Sequence, residues 1–388
     1  MYQVYLKRNE EKRIKSGGSF IYANEVDKIE GKDTNGSLSS VYSYDHKFLG
    51  RGYINHLSKI LVRILIRDET TKDDEAFFME RIKKANDFRT FLGYRSAYRM
   101  VFSEADAIPG LIVDRYEDYL VIEISSLGLE IRKELIVKAL INLFNPKGIY
   151  EKVEENLRSK EGLKSVSGTL YGEIPSEVII EENGLVLSVD IINGQKTGYF
   201  LDQKENRLLS RKYTKNMTVL DCFSNTGGFS LNAAIDAKSV TAVDISKRAT
   251  DNVLRNAELN HFNNIEVITD DVFKVLRDMR EANKTFGVVI LDPPAFTKSI
   301  SQTKDALRGY KDINILGMKI VSQGGFLITS SCSEHISRNL FENMLIEAAR
   351  EAGKQVRCLE VRSQSPDHPS LLSAEETSYL KFYVLQIM

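Results

Sequence analysis

The chain has 388 residues, enough for two or three domains rather than one. Its 42% hydrophobic and 28% charged content is ordinary for a soluble globular protein, and no window approaches the length of apolar sequence that spans a membrane. A net charge of −1 excludes a strongly basic nucleic-acid coat, and three cysteines (Cys222, Cys332 and Cys358) without framework spacing exclude a disulfide scaffold and argue for a reducing, cytoplasmic compartment.

Residues 1–68 read as a small strand-rich unit, with short apolar runs between Gly and Asn turns. Near its start Lys7, Arg8, Lys12, Arg13 and Lys15 outnumber Glu10 and Glu11, which describes either a basic face for structured RNA or a solvated charged surface. Met1 to Arg8 lacks the long apolar core of a signal peptide. Asp68 to Asp74 is a charged connector. A helix is predicted at about 74–90, where Phe77, Phe78, Ile82, Ala85 and Phe88 recur at helical spacing. Strands follow at 98–102, 110–116 and 119–124, then a second helix at about 130–144.

From about residue 190 the rhythm changes. Strands read at 217–221, 239–243, 265–268, 286–291, 325–329, 355–361 and 379–387, with helices between the first six. That alternation predicts a mostly parallel sheet with right-handed crossovers, an α/β fold. There is no CxxC and no HxxxH, which argues against a structural zinc.

The first of these strands ends at Asp221, and a loop with Gly227 and Gly228 leads into a helix. Such a loop lets backbone amides approach a ligand. The GxGxxG of a pyrophosphate site is absent, and an acid at the strand exit repels a pyrophosphate. It suits a cationic ligand instead, such as the ammonium and sulfonium of S-adenosylmethionine. Asp244 ends the second strand, where a carboxylate can accept from both hydroxyls of a ribose. Asp271 follows the third and is a candidate acceptor for an adenine amine. Asp292-Pro293-Pro294 ends the fourth. Its prolines carry no N–H and stop the ladder, so a carboxylate stands on stiff backbone at a sheet edge. One acid in such a turn is an ordinary strand end or N-cap. Four in successive turns point to a nucleoside cofactor. The fifth strand runs into Ser330-Ser331-Cys332-Ser333, so a thiol stands at a second exit, and the pair suggests a reaction on a polar ring.

On these residues the chain resembles the bacterial class I methyltransferases of the PUA-containing rRNA cytosine-5 family. The matching stretches are Asn193 to Gln203 with Arg207, Leu220 to Phe229, Asp292-Pro293-Pro294 and Ser331-Cys332-Ser333. Phe102 to Asp106 and Pro109 to Arg115 match in the middle of the chain. The likeness covers nearly the whole chain and is weakest in residues 1–70, where Gly18-Ser19-Phe20 replaces the family's His-Pro-Trp stretch. The resemblance implies a PUA-like RNA-binding domain over 1–70, an α+β middle domain over 71–188, and a Rossmann-like methyltransferase domain over 189–388. The last would have a seven-stranded sheet with its final strand antiparallel. A cytosine of 23S ribosomal RNA is the implied substrate, S-adenosylmethionine the implied cofactor, and a homodimer an assembly that the resemblance allows. The segment Gly194 to Gln203 is expected either over the cofactor or as a buried turn between domains. Expected cofactor-binding residues are Gln203, Asp221, Phe223, Ser224, Asn225, Thr226, Gly227, Asp244, Ile245, Ser246, Asp271, Val272, Asp292 and Pro294.

Cytosine C5 is a poor nucleophile. A thiolate added at C6 makes C5 carbanion-like, and such catalysis needs one activated cysteine. Cys332 is the candidate, while Cys222 and Cys358 lie on strands and read as small core residues. Asp292 would then hold the ring edge through N3 or the exocyclic amine. Phe296 is expected either to stack on a flipped base or to pack its own loop. Lys298, Arg308 and Tyr310 form a polar stretch that either meets RNA or is a solvated helix face. Ala295 stands where some RNA cytosine-5 methyltransferases place a second cysteine, and the base that removes the C5 proton is not identified. A rival reading is methylation of a guanine or adenine nitrogen, in which Asp292-Pro293-Pro294 holds an amine and no thiol is needed. Other readings are a non-catalytic RNA-binding factor and a nucleotide-dependent dehydrogenase, the latter disfavoured by the missing GxGxxG.

Overall fold

The computed structural model describes residues 1–297 and 300–388. The chain packs as two compact units: Met1–Val178 with Asp190–Leu201 and Pro366–Thr377, and Ile179–Val189 with Asp202–Ser365 and Ser378–Met388. No helix among the described residues is long and apolar enough to cross a membrane.

The first unit carries two sheets. Phe20–Tyr22, Ile60–Ile66, Phe48–Ile54, Leu38–Tyr42, Gln3–Leu6 and Val26–Glu30 lie in that order in one of them. Its apolar residues Val4, Leu6, Ile21, Val41, Val62 and Ile64 form a core of their own. The other runs Gly168–Gly172, Gly148–Glu151, Tyr119–Ile124, Leu111–Tyr116 and Ala97–Phe102. Helices Glu75–Phe91 and Lys133–Phe144 contribute Phe78, Ile82, Ile136 and Leu140 to a core with Met100, Val113 and Ile122. Asp74 caps the first of these helices, its Oδ1 accepting from Phe77 N at 3.1 Å. The helix expected at about 130–144 is two, Leu127–Ile131 and Lys133–Phe144, because Arg132 leaves helical geometry and donates to Gly36 O at 3.1 Å and to Asp73.

The second unit has the expected α/β architecture. Its strands are β1 (Thr218–Cys222), β2 (Ser239–Asp244), β3 (Ile265–Thr269), β4 (Phe286–Leu291), β5 (Val321–Ser331), β6 (Val356–Arg362) and β7 (Lys381–Ile387). They form one sheet in the order β3-β2-β1-β4-β5-β7-β6. Strands β1 to β5 pair in parallel, and β7 runs antiparallel to both β5 and β6. The helices are α1 (Lys204–Thr214), α2 (Gly228–Ala234), α3 (Lys247–Leu259), α4 (Val272–Glu281), α5 (Thr303–Ile320) and α6 (Arg338–Ala352). Every residue of β4 is buried, which is why it reads as an unbroken apolar run rather than an alternation. Strand order reverses between β1 and β4, so their carboxyl ends flank the switch point where open α/β sheets bind ligands.

The hairpin Val178–Glu182/Leu185–Val189, expected at the end of the middle domain, packs from Ile179 onward with the second unit. Val186 N and Ser188 N donate to Asn260 and Asn256 at 2.9 and 2.8 Å, and Glu182 pairs with Arg207 of α1 at 2.6 Å. Gly194 to Gln203 is also divided. Through Leu201 it belongs to the first unit, where Thr197 donates to Asp114 and Tyr199 N donates to the Tyr116 hydroxyl at 3.2 Å. Asp202 and Gln203 belong to the second.

Candidate active site

The loop from β1 to α2 is held in an unusual backbone shape. Phe223, Asn225 and Gly227 have φ of 65°, 48° and 89°, three left-handed residues within five positions. Backbone bonds fix it: Ser224 N donates to Val243 O at 3.0 Å, and Gly227 N to Ser224 O at 2.8 Å. Asp221, at the end of β1, is 1% exposed. Its Oδ2 accepts from the Ser230 hydroxyl at 2.6 Å. Burial, with smaller contributions from the charges of Asp292 and Asp244, pushes its carboxyl up to about 7. Asp221 Oδ1, Ser224 Oγ and Thr226 Oγ1 are buried and meet no described hydrogen-bond partner. Native proteins leave few such atoms, and three in one loop fit a site shaped for a polar ligand.

The next two acids are organised by the turns they stand in. Asp244 Oδ2 accepts from Asn225 N at 3.0 Å, tying β2 to the first loop, and its Oδ1 accepts from Ser246 N at 2.9 Å. Ile245 beside it is 71% exposed, and Ser246 caps α3. Asp271 caps α4, its Oδ1 accepting from Lys274 N at 2.9 Å, while Val272 is buried in the core below. The cap role weighed for such acids is therefore real at Asp271, and its second oxygen is left for other partners.

At the β4 exit, Asp292 is half-buried. Its Oδ1 accepts from Gln203 Nε2 at 2.8 Å and from the Ser330 hydroxyl. Burial is the main cause that raises its carboxyl above the ordinary range, and the Asp202 charge adds to it. Pro294 and Ala295 are exposed beyond it.

At the β5 exit, Cys332 is half-buried between Ser331 and Ser333, both almost fully buried. β4 and β5 are adjacent, with Leu291 opposite Thr329, so Asp292 and Cys332 leave the same edge from neighbouring strands. Cys222 is buried on β1, whereas Cys358 on β6 is exposed rather than a core residue, because β6 is the sheet's edge strand.

The polar stretch after Pro294 is different from its expected form. Tyr310 is 0% exposed, in the core with Ala306 and Ile313, and its hydroxyl bonds Ser333 Oγ at 2.9 Å. It cannot offer a face to RNA, since helical spacing turns it inward on α5. Phe296 packs at 4.6 Å from the Tyr310 ring and within 6.5 Å of Phe223 and Phe273, so loop packing accounts for it. Arg308 is exposed and pairs with Asp305 at 3.3 Å. Lys298 lies outside the described residues. Among the described residues no cluster of His, Cys, Asp or Glu could hold a metal ion.

Two residues of the site carry no motif. Ser330 bridges to Asp292, and Lys381, the first residue of β7, donates to Ser333 O at 2.6 Å and Tyr379 O at 2.7 Å. A signal for Lys381 exists: it is a lone charge at the head of an apolar run, Phe382 to Leu385.

Known proteins resemble the chain over nearly its whole length. Residues 4–67 match the model of a PUA-like domain. Residues 156–383, more than half of the chain, match that of an S-adenosylmethionine-dependent methyltransferase. A protein named ribosomal RNA large subunit methyltransferase I from Aliivibrio fischeri is 40% identical over 99% of both chains. A solved structure described as a SAM-dependent methyltransferase from Streptococcus mutans superposes with a TM-score of 0.84 over 100% of both chains, at 25% identity. A second, with the same score, identity and coverage, is a complex with SAH. The chain belongs to the S-adenosylmethionine-dependent methyltransferase family.

Proposed function

We propose that the protein methylates C5 of a cytosine in large-subunit ribosomal RNA, through a covalent adduct between Cys332 and C6. One observation carries the reading: Asp292 and Cys332 leave adjacent parallel strands, and Ser330, two positions before the thiol, donates to Asp292. A carboxyl group that holds a ring edge beside a thiol that can add to the ring suits carbon methylation. A nitrogen methyltransferase needs only the first. The PUA-like match and the name of the Aliivibrio relative support ribosomal RNA as substrate. In this reading residues 1–70 bind RNA, 71–188 form the middle domain, and 189–388 carry the chemistry.

S-adenosylmethionine, when bound, supplies an electrophilic methyl group. The unpartnered Asp221 Oδ1, Ser224 Oγ and Thr226 Oγ1 fit its amino-acid end. Asp244 would accept from the ribose hydroxyls, Ile245 would cover an adenine face, and Asp271 would accept from the adenine amine.

The target base must leave any duplex to reach the sheet edge. Cys332 attacks C6 as a thiolate, and the S–C6 bond forms as the C5=C6 π bond opens. Negative charge develops toward N3, where the Asp292 carboxyl donates when it is protonated, a form that its burial favours. Gln203 and Ser330 fix that carboxyl. Once C5 bears the methyl group, a base takes the C5 proton, C5=C6 re-forms and Cys332 departs as the thiolate.

The test is Cys332→Ala. The variant is expected to bind S-adenosylmethionine as the wild type does, by calorimetry, and to form no 5-methylcytosine in rRNA. Full methylation by the variant would remove the covalent mechanism.

A further inference from the structure

We propose that Lys381 is a positioning residue whose ammonium is the counter-ion of a Cys332 thiolate. The inference rests on Cys332 being the nucleophile. Lys381 sits across the sheet from Ser331, the residue before the cysteine, in the antiparallel register of β5 and β7. Its Nζ donates to the carbonyl of Ser333, the residue after the cysteine, at 2.6 Å, and to Tyr379 O at 2.7 Å. The lysine therefore grips the chain on both sides of the thiol. From the opposite side the Tyr310 hydroxyl bonds Ser333 Oγ at 2.9 Å, so the Ser331–Ser333 turn is fixed by β7 and α5 together.

Lys381 is 4% exposed, and no described carboxylate lies within ion-pair distance of it. A buried ammonium without an anion is costly, and lysines are almost never buried unpaired. An ammonium has three N–H donors, and the two carbonyls use two of them. The third is left for an acceptor, and the thiolate supplies both the acceptor and the missing negative charge. The other charged groups acting on Lys381 are Arg338 of α6 and Glu334, which oppose one another. Burial is the main cause that brings the amine down to about 8. That is near the ordinary thiol value of about 8.5, so a proton passes between the two at little cost. In the neutral amine two N–H groups serve the two carbonyls and the lone pair takes the thiol proton, so the S–H bond breaks, the third N–H bond forms and the pair keeps zero net charge, whereas an amine already protonated leaves the thiol proton to solvent.

The test is the pH profile of Cys332 alkylation by iodoacetamide, read by peptide mass spectrometry in the wild type, Lys381→Met and Lys381→Arg. In Lys381→Met the midpoint is expected to rise by about one unit or more, so that near neutral pH the rate falls about tenfold. Lys381→Arg, which keeps a cation, is expected to recover most of the rate, and exposed Cys358 in the same molecules should be unaffected. Identical Cys332 profiles in the wild type and Lys381→Met would overturn the proposal. Should Lys381→Met not fold, the wild type decides: the thiolate absorbance of wild type minus Cys332→Ser is expected to titrate below about 8.5, and a midpoint at or above that value overturns it. Alkylation needs no RNA, so this result is independent of whether Cys332→Ala still methylates.

Discussion

Gln203 donates from Nε2 to Asp292 Oδ1 at 2.8 Å, while its own Oε1 accepts from Asn206 Nδ2 at the same distance. The second bond fixes which end of the amide faces the carboxyl. Gln203→Glu replaces the amide donor to Asp292 with a second carboxyl group. The expected outcome is a fall in kcat on the order of 100-fold, with cofactor binding retained. Gln203→Ala removes one bond each from Asp292, which keeps Ser330, and from Asn206, which keeps Ser363 O, and is expected to cost about 1 kcal/mol in urea unfolding.

Asp221 gives cofactor binding a pH dependence. Its carboxyl titrates at about 7 in the fold, so below neutral pH it is protonated and loses its attraction for an ammonium. S-adenosylhomocysteine is expected to bind roughly tenfold more weakly at pH 6 than at pH 8 by calorimetry, and Asp221→Asn is expected to bind weakly at both. The same group acts on stability. Its folded value lies above the unfolded value of about 3.9, so the folded state binds more protons between the two. Stability from this group is full below about 4 and is lost as pH rises through about 7, and Asp221→Asn should lose that part of the slope.

The cofactor loop depends on a glycine. Gly227 has φ +89°, and a Cβ there would lie 3.3 Å from the Val253 side chain. Gly227→Ala is expected to cost about 1–2 kcal/mol in thermal unfolding and to weaken S-adenosylhomocysteine binding, because the loop must change shape to accept it.

Tyr310 supports the cysteine turn from inside. Tyr310→Phe removes the partner of the buried Ser333 hydroxyl. The expected outcome is about 1 kcal/mol of lost stability with RNA affinity unchanged. A loss of RNA affinity at unchanged stability would return Tyr310 to the surface role expected of it.

The strand exits at Asp221, Asp244 and Asp292 are legible in the sequence because each acid closes a buried apolar run, and two prolines mark where β4 stops. The inward turn of Tyr310 was also readable: Ala306, Tyr310, Ile313 and Gly317 share one helix face and are buried together. The neighbouring charges Lys304, Asp305, Arg308 and Lys311 mask it. Cross-chain bonds such as Ser330 to Asp292 and Lys381 to Ser333 carry no local signal. The first follows from β4 pairing with β5 and the second from β7 lying between β5 and β6, long-range pairings that no short window reports. The placement of 179–189 is hidden for the same reason, since Asn256 of α3 and Asn260 just after it hold it from far along the chain.

The adduct itself is the most direct measurement. RNA carrying 5-fluorocytosine at the target position lacks the C5 proton whose loss releases Cys332. With S-adenosylmethionine present, a stable protein–RNA complex is expected, with the modified peptide mapping to Cys332 by mass spectrometry. Absence of that complex, from enzyme that methylates the unmodified RNA, would contradict covalent catalysis by Cys332.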